Sequence, residues 1–404
     1  MKRGMLRKLL CTCVVTAAAF AAATISASAC TTIYVGGDLN EEGTPFVART
    51  EDYGSDYNKL WFISESGKWK QGDHYVGCPA YGPFEWDFTH DSYRFTYFTN
   101  DIYYDGTCPE CGKKADHYSY TEFGTNEKGV SVSATETLYG NAKVTEVDPY
   151  RDADWAKENG NARIGIEETD IPTIILAEAS SAREGVELLL DIYENYGCVY
   201  ASGVFICDKD EVWYIENCSG TQYVAIKLNN NMIFLEPNMA VIGRVDLDDE
   251  NVIASKDLIA VAKKAGTFVG DEEKNIIDFR ASYARISEKM DQRMIDGLNY
   301  LNAAYKYDSD ALVADNTKFT ISNLDASDKL VALYTNIKAD RKLDKDDIFG
   351  YYKLSSIGKA SNQEIEIFQL FKNRPVETAT VGWVGVGNMS YNVFVPYYPM
   401  LIDG

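Results

Sequence analysis

Residues 25 to 36, ISASACTTIYVG, contain a cysteine that directly follows a run of small residues. Ala27-Ser28-Ala29 has the small-x-small pattern of a signal-peptidase site, and cleavage there would make Cys30 the first residue of the mature chain. One residue would then carry both a thiol and a free α-amine. A nucleophile and a base on the same backbone unit suit attack on a carbonyl carbon.

The α-amine of a chain terminus is well matched to this task. It titrates near pH 8, so about a tenth of it is unprotonated at neutral pH, far more than of an unperturbed lysine. Proton transfer favours a base of that strength, and a thiol needs an adjacent base or positive charge to reach the thiolate. In the uncut precursor this nitrogen is an amide. Removal of the leader is therefore predicted to switch the site on.

Two other interpretations of Cys30 compete with this one. It is an ordinary strand cysteine that lies beside a cleavage site by chance, or it is the attachment point of a lipid. A lipoprotein site prefers leucine three residues before the cysteine, where this chain has Ala27. A thioether to lipid would also block the sulfur, so the lipid anchor and the nucleophile exclude each other.

Residues 1–29 have the pattern of a secretory signal peptide. Four basic residues precede an uncharged apolar stretch at 9–25, and the small-x-small site follows. The sequence predicts a cleaved leader and an exported, extracytoplasmic protein, whether secreted, periplasmic or at the cell surface. A retained anchor is the alternative, although the apolar stretch is slightly shorter than the ~20 residues of a spanning helix. No later apolar run is as long, so no integral membrane span is expected after processing.

The composition indicates an acidic globular body. The chain has 39 basic and 61 acidic residues and a formal net charge of −22. This balance argues against nucleic acid or an anionic membrane surface as a partner, because both require positive charge. There is no linker of low complexity and no internal repeat. We expect one domain over 30–404 with two insertions, an irregular aromatic-rich one at about 60–120 and a helical one at about 280–350.

The remaining cysteines leave disulfides and metal binding open. Cys11 and Cys13 depart with the leader. Six others are Cys78, Cys108, Cys111, Cys198, Cys207 and Cys218. An even number in an extracytoplasmic chain permits disulfides, with no connectivity readable from the sequence. Cys108 and Cys111, with His117 nearby, resemble half a zinc knuckle, but a lone C-x-x-C is a weak metal signature. Disulfides or free thiols are favoured over a structural metal.

Hydrophobic patterning predicts strands and helices in alternating blocks. Strands are expected at 31–37 and 44–50, joined by a polar turn, and at 129–137, 201–208, 211–217, 222–228, 378–386 and 391–398. A helix is expected over 180–197, with Ser181 and Glu184 as a capping box and Gly197 as its end. Further helices are expected over 255–264 and between 281 and 305. Such blocks indicate an α+β layered fold.

Several long segments resemble one enzyme family. CTTIYVGGDLNEEGTPFVARTEDYG (30–54), FGTNEKGVSVSATETLYGN (123–141), the segment 164–197, DKDEVWYIENCSGTQYVAIKL (208–228), LEPNMAVI (235–242) and GNMSYNVFVPYYP (387–399) occur in order. Together they resemble the bacterial dipeptidase A family of N-terminal-nucleophile cysteine hydrolases. Such enzymes are similar in fold to choloylglycine hydrolases and penicillin V acylases. The resemblance implies a four-layer αββα sandwich with the nucleophile at the edge of a central strand.

The resemblance also implies roles for individual residues. Cys30 is the nucleophile, and Arg49 and Asp52 match an Arg-x-x-Asp beside it. The guanidinium would favour the thiolate, and the carboxylate would hold the new α-ammonium. Without the resemblance this pair is a surface ion pair at a strand end. Asn238, in EPN, aligns with an amide donor to the oxyanion; otherwise it is a turn residue.

Three further positions follow from the same likeness. A second oxyanion asparagine of the acylase relatives falls at Glu136, so that role passes to Thr135 or to a backbone N–H. Glu136 would instead bind a substrate ammonium. The late arginine of the superfamily is placed at Arg285, with Arg280 as the competitor.

The function expected from the sequence is hydrolysis of dipeptides through a thioester on Cys30, with no metal or organic cofactor. An amidase or acylase acting on acyl-amino acids or conjugated bile acids is the alternative with the same catalytic centre. A non-catalytic, lipid-anchored surface protein is the alternative from another class. The sequence leaves the oligomeric state open, with a homo-oligomer among the options.

Overall fold

The computed structural model describes residues 30–52, 59–77, 84–100, 121–161, 163–287, 289–311, 330–331 and 337–402, with the backbone alone described at 100, 135, 136, 330 and 331. The leader at 1–29 and the C-x-x-C at 108–111 lie outside these ranges. Cys30, Cys198, Cys207 and Cys218 are buried free thiols. None of the helices among the described residues is long and apolar enough to cross a membrane.

A six-stranded antiparallel sheet carries Cys30 at the start of its second strand. Its order is β12-β1-β2-β18-β19-β20. The strands are β1 (Thr31–Val35), β2 (Phe46–Asp52), β12 (Ile233–Glu236), β18 (Asn362–Leu370), β19 (Thr380–Val386) and β20 (Val395–Tyr397). β1 and β2 are buried along their whole length, as their apolar composition predicts. β18 is also fully buried, yet the sequence analysis did not predict it, because Glu364 and Glu366 interrupt its apolar pattern.

An eight-stranded antiparallel sheet packs against the first. Its order is β14-β11-β10-β9-β8-β7-β6-β3. The strands are β3 (Lys59–Ser64), β6 (Phe95–Asn100), β7 (Phe123–Asn126), β8 (Ser131–Thr137), β9 (Ser202–Cys207), β10 (Val212–Asn217), β11 (Tyr223–Lys227) and β14 (Val252–Ala254). Tyr214 and Phe205 approach Phe234 of the first sheet, with ring centroids 4.6 and 5.7 Å away. The two sheets therefore meet face to face through aromatic side chains.

Helices cover the other face of the eight-stranded sheet. Val204 and Trp213, which alternate with Phe205 and Tyr214 along their strands, belong to a second core with α3 and α4. The helices are α1 (Ala142–Val147), α2 (Ala153–Glu158), α3 (Ile171–Glu178), α4 (Ala182–Asn195), α5 (Leu258–Ala265), α6 (Phe279–Tyr283), α7 (Gln292–Leu301), α8 (Lys345–Tyr351) and α9 (Val376–Ala379).

The local helix predictions are confirmed at α4 and α5. The Ser181 hydroxyl accepts a bond from the Glu184 N–H at 3.2 Å, and Gly197 has a left-handed φ of 76° just beyond the helix. The Glu184 carboxylate bonds the N–H of Ser180, not that of Ser181, so the capping box is shifted by one residue. α5 begins three residues later than expected and ends at Gly266, whose φ is 70°.

The expectation that 60–120 is irregular is wrong at β3 and β6, while 65–73 and 88–94 contain no strand or helix. β3 and β6 pair along six residues and form the edge of the eight-stranded sheet. Trp61 stacks with Phe98 on one face, and Phe62 approaches Tyr97 on the other. Because both faces are aromatic, no polar alternation marks these strands.

The remaining strands are β4 (His74–Val76), β5 (Glu85–Asp87), β13 (Arg244–Asp246), β15 (Gly270–Asp271), β16 (Ile276–Asp278) and β17 (Leu330–Val331). α6, α7 and α8 lie at 279–351, and a helical insertion at 280–350 stays a prediction.

Buried carboxyl groups at the start of α3 make the stability of the fold sensitive to pH. Tyr75 donates a hydrogen bond to Asp170 at 2.7 Å and joins α3 to β4. Burial raises the pKa of Asp170 to about 7. Burial, followed by repulsion from Asp170 and Glu168, raises the pKa of Glu167 to about 9. Both groups keep a proton in the folded chain that the unfolded chain has released.

We predict that the free energy of unfolding falls as the pH rises from about 5 to 9. Each such group contributes a slope of at most ~1.4 kcal/mol per pH unit between its unfolded and folded pKa. Glu167→Gln keeps a neutral side chain and should flatten this fall in urea unfolding measured across pH. Glu187→Gln, on the exposed face of α4, should leave the profile of the unaltered protein. A profile that Glu167→Gln does not change would contradict the assignment.

Candidate active site

Cys30 lies at the buried start of β1, beside the end of β2. Thr31 pairs with Thr50, and the Thr31 N–H donates to the Thr50 hydroxyl at 2.9 Å. This register places Cys30 next to the Glu51–Asp52 end of β2. Only 3% of Cys30 is exposed. A strand pairing inside a sheet thus fixes the backbone that carries the thiol.

Arg49 contacts the sulfur directly. Its Nη2 donates to Cys30 Sγ at 3.5 Å, and the Arg49 side chain is almost fully buried. Its other neighbours are carboxyl groups, with Glu366 3.6 Å from Nη1 and Glu51 3.8 Å from Nη2. A guanidinium is always protonated, and in a buried site its charge is weakly screened. The contact therefore favours the thiolate of Cys30 over the thiol.

Asp52 is buried at the end of β2. The Asn362 amide donates to its Oδ1, and Lys359 Nζ lies 3.3 Å from its Oδ2. Burial raises the pKa of Asp52, while Lys359, Asn362 and Arg293 oppose that rise. The register of β1 with β2 brings this end of β2 close to the α-nitrogen of Cys30. The role of Asp52 in holding an α-ammonium stays a prediction.

Arg293 joins Cys30 to the loop that contains Asn238. Its Nη1 donates to the Cys30 carbonyl oxygen, to Thr31 Oγ1 at 3.2 Å and to Asn238 Oδ1 at 3.0 Å. Its Nη2 donates to the Pro237 carbonyl at 2.9 Å. One buried side chain thereby bonds both the residue that carries the thiol and the Asn238 amide.

Asp291 holds Arg293 in that orientation. It caps the start of α7, and its two oxygens accept from Nε and Nη2 of Arg293, each at 2.9 Å. Burial would raise the pKa of Asp291, but the bond from Arg293 outweighs burial and lowers it. Such a two-bond pair fixes the plane of the guanidinium as well as its charge.

The amide of Asn238 has a defined orientation. A guanidinium has only donors, so the Asn238 atom that meets Arg293 must be the oxygen, and the amide nitrogen points elsewhere. The residue has a left-handed φ of 54°, a conformation that asparagine tolerates better than most residues. Glu216 supports the following turn by accepting from the N–H groups of Val241 and Ile242 at 2.7 and 3.2 Å. The direction in which the Asn238 amide offers its donor is therefore fixed.

Arg285, the predicted late arginine, is exposed and lies over the Tyr139 ring at 4.1 Å. Arg293, which was not predicted, contacts the Cys30 carbonyl, and a catalytic role for Arg285 stays a prediction. Arg285 lines a cavity of about 750 Å³ formed mainly by residues 137–142 and 284–286, and Cys30 is not among its lining residues. Arg280, the competitor, is buried on α6 within electrostatic reach of Glu216 and Asp278.

The other predicted positions are only partly described. Thr135 and Glu136 lie on β8, where the register with β9 shifts between Ala134 and Glu136. Their side chains lie outside the description, so a role in substrate binding stays a prediction. Cys108 and Cys111 also lie outside it.

The two described histidines hydrogen-bond an acidic side chain and backbone oxygens. His74 bonds Asp87, and His90 bonds backbone oxygens of Asp91 and Glu178.

Sequence reasoning missed Arg293, Lys359, Asn362 and Glu366. Arg293 is 263 residues from Cys30, so no local spacing links the two. Asp291 in DQR is a helix-capping signature that identifies the helix start, but not its partner. Glu366 and Asn362 belong to β18, the strand that the sequence analysis did not predict.

One group of side chains has the composition of a metal site. Single oxygens of Glu51, Glu122 and Glu364 lie within 4.8 Å of one another. The Lys59 ammonium already lies among them, 2.9 Å from Glu364. A cation of the protein itself thus compensates part of the negative charge of this group, which favours a structural role over metal binding.

Comparison with known proteins identifies the family. Residues 29–403 match peptidase family C69. A probable dipeptidase B of Streptococcus pyogenes serotype M3 is 30% identical over 391 residues, covering 91% of this chain and 72% of that protein. A probable dipeptidase of Salmonella dublin is 27% identical, covering 92% and 81%. The family match and these relatives indicate a peptidase, and the chain belongs to peptidase family C69. The resemblance to the dipeptidase A family is confirmed.

The likeness to solved structures is more distant. A variant of conjugated bile acid hydrolase from Clostridium perfringens superposes with a TM-score of 0.38 and 12% identity, over 92% of this chain and 99% of that one.

We predict that Arg49→Met slows alkylation of Cys30. Loss of the charge 3.5 Å from the sulfur should lower the rate with iodoacetamide at neutral pH about tenfold, the effect of one pKa unit. Peptide mass spectrometry would measure the modification of Cys30 separately from the other thiols. Arg163→Met, which removes a half-exposed arginine paired with Glu85, is the control and should react at the unaltered rate. An unaltered rate in Arg49→Met would contradict this role.

Proposed function

We propose that the protein is an exported cysteine dipeptidase whose nucleophile is Cys30, exposed as the chain terminus when residues 1–29 are removed. The observation that carries the proposal is the convergence of Arg49 on the sulfur and Arg293 on the carbonyl of the same residue. Family membership and the dipeptidase relatives support the reaction class. The family match begins at residue 29, which leaves almost the whole leader outside it.

The first half of the reaction makes a thioester. The α-amine of Cys30 takes the thiol proton, and the sulfur attacks the carbonyl carbon of the scissile peptide bond. Arg49 stabilises the negative sulfur before attack, and the Asn238 amide nitrogen donates to the oxyanion that forms. The α-ammonium then gives its proton to the leaving amine. The carbon–nitrogen bond breaks and the amino-terminal residue of the substrate stays on the sulfur.

The second half reverses the proton transfers. The α-amine, neutral again, takes a proton from water, and the hydroxide attacks the thioester carbonyl. The carbon–sulfur bond breaks, and the sulfur recovers its proton from the α-ammonium. Asp52, buried at the end of β2, would hold the ammonium between these steps. No metal or organic cofactor is required.

We further infer that the layers follow the αββα order of N-terminal-nucleophile hydrolases. α3 and α4 cover one sheet, and contacts on the outer side of the other sheet support a second helical layer. A Cβ at Gly297 of α7 would lie 3.2 Å from Leu235 of β12. Phe349 of α8 meets Trp383 of β19 edge to face at 5.3 Å.

Removal of the thiol tests the nucleophile. Cys30→Ala should abolish hydrolysis of Ala-Ala and Leu-Leu, because the thioester of the proposed reaction forms on the sulfur that this change removes. Cys207→Ala, which truncates a buried thiol on β9, is the matched control and should retain activity. The enzyme used should be the exported product, with its terminus determined by intact mass. Hydrolysis by Cys30→Ala, or a lipid mass on Cys30, would refute the proposal.

A substrate panel separates dipeptidase from acylase. Dipeptides, acyl-glycines, conjugated bile acids and penicillin V should be compared by kcat/KM. Preference for dipeptides supports the proposal. Preference for an acyl-amino acid would assign the same centre to an amidase.

Loss of the oxyanion donor should affect the chemical step. Asn238→Ala is expected to lower kcat about 10²–10³-fold with little change in KM, because the amide bonds charge that exists only in the transition state. Asn195→Ala, at the exposed end of α4, should leave both constants unaltered. A rise in KM alone would indicate that Asn238 binds substrate and not the oxyanion.

A further inference from the structure

A group of buried charges lies directly behind Arg49. We call it the buried charge cluster, and its members are Lys59, Glu51, Glu122 and Glu364. The Lys59 ammonium bonds Glu122 and lies 2.9 Å from Glu364 and 3.8 Å from Glu51. The side chains of Lys59, Glu122 and Glu364 have no exposed area. They come from β3, from the residue before β7 and from β18, so the cluster spans both sheets.

Arg49 connects this cluster to the nucleophile. It lies 3.8 Å from Glu51 of the cluster, 3.6 Å from Glu366 and 3.5 Å from the Cys30 sulfur. Glu366 is buried on β18 and accepts a 2.6 Å hydrogen bond from Ser133 of β8. The charged and titratable groups around Glu366 are Arg49, Glu364 and Tyr397.

The charges in this space balance only if two carboxyl groups carry protons. Two cations, Arg49 and Lys59, face four carboxyl groups, and each uncompensated buried charge costs several kcal/mol. Burial, with repulsion from Glu364 and Glu51, raises the pKa of Glu122 well above its usual range. Burial, with repulsion from Glu364, raises the pKa of Glu366 to about 8. These two groups are therefore the neutral ones at pH 7.

Charge balance leaves Glu51 and Glu364 as the two carboxylates. Burial would raise the pKa of Glu51, but Lys59 and a hydrogen bond from Glu122 outweigh burial and lower it. Burial raises the pKa of Glu364, and the Lys59 ammonium 2.9 Å away opposes that rise. Two cations then face two carboxylates. Arg49, which is not paired with an ionised Glu366, is shared between Glu51 at 3.8 Å and the Cys30 sulfur at 3.5 Å.

We propose that Lys59 and Glu366 are positioning residues for the nucleophile, because together they set how much of the Arg49 charge acts on the Cys30 sulfur. The inference rests on the proposed role of Cys30. Neither residue touches the substrate. Each acts through the charge that Arg49 can offer to the sulfur.

Two substitutions should shift the ionisation of Cys30 in opposite directions. In Lys59→Met, Arg49 is the cation that remains near Glu51 and Glu364. The pH midpoint of Cys30 alkylation by iodoacetamide should therefore rise by at least about one unit, which lowers the rate about tenfold below the midpoint. Glu364→Gln removes a carboxylate while Lys59 stays, so the midpoint should fall. Lys70→Met, which breaks an exposed pair with Asp91, is the control and should leave the midpoint in place.

The net charge of the buried charge cluster, and not the presence of Lys59, should determine the pH midpoint of Cys30 alkylation. The double variant Lys59→Met with Glu364→Gln removes one charge of each sign and should return the midpoint toward that of the unaltered chain. If Lys59→Met alone does not fold, this double variant still allows the midpoint to be measured without Lys59. Glu366→Gln copies the protonated carboxyl and should leave the midpoint in place.

Three results would overturn the inference. They are a midpoint that Lys59→Met does not move in a folded protein, a midpoint that Glu364→Gln raises, and a midpoint that Glu366→Gln raises as far as Lys59→Met does. Alkylation is measured on the chain beginning at Cys30 and needs no dipeptide turnover. Failure here is therefore distinguishable from failure of the proposed function, which Cys30→Ala and the substrate panel test.

Discussion

The start of β1 is held by a single buried guanidinium, and the geometry of the site depends on it. Arg293 donates to the carbonyl of Cys30, to the Asn238 oxygen and to the Pro237 carbonyl, while Asp291 fixes its plane. The bonds to the two carbonyl groups are buried, where a lost partner leaves a desolvated polar group. The nucleophile and its amide neighbour are therefore positioned together. Because Asp291 also caps α7, the helix start and the site share one carboxylate.

The second constraint is the electrostatic cost of burying charged side chains. A sandwich of two sheets has an apolar interior, yet here Lys59, Arg49 and four glutamates lie between the sheets. Carboxyl groups in such a place take up protons or pair with cations, since isolated charges are unstable there. This arrangement allows one cation, Arg49, to face a sulfur. The same chemistry that makes the interior costly for charge makes the guanidinium of Arg49, 3.5 Å from the sulfur, effective at favouring a thiolate.

Much of the fold was predictable because it follows local patterns. β1, β2 and β9 to β11 are apolar runs, and α4 has a cap, an apolar stripe and a terminal glycine. Prediction failed at β3 and β6, where aromatic residues occupy both faces, and at β18, where Glu364 and Glu366 suggested an exposed segment. Buried charges in a strand can be explained only when their partners on other strands are known.

For the site, the family resemblance singled out Arg49, which contacts the Cys30 sulfur, and Asn238, which shares Arg293 with Cys30. It placed the late arginine at Arg285, whereas the arginine found at the Cys30 carbonyl is Arg293. The contact of Arg293 with Cys30 depends on tertiary packing over 263 residues, which no local spacing encodes.

The central claim is that the substrate acyl group is held on the sulfur of Cys30. Acid quenching of the mature enzyme during dipeptide turnover, followed by intact and peptide mass spectrometry, would observe that bond directly. The account predicts a mass increase equal to the amino-terminal acyl residue on the peptide that begins with Cys30. An adduct on another residue, or turnover under single-turnover conditions with no adduct on Cys30, would contradict it.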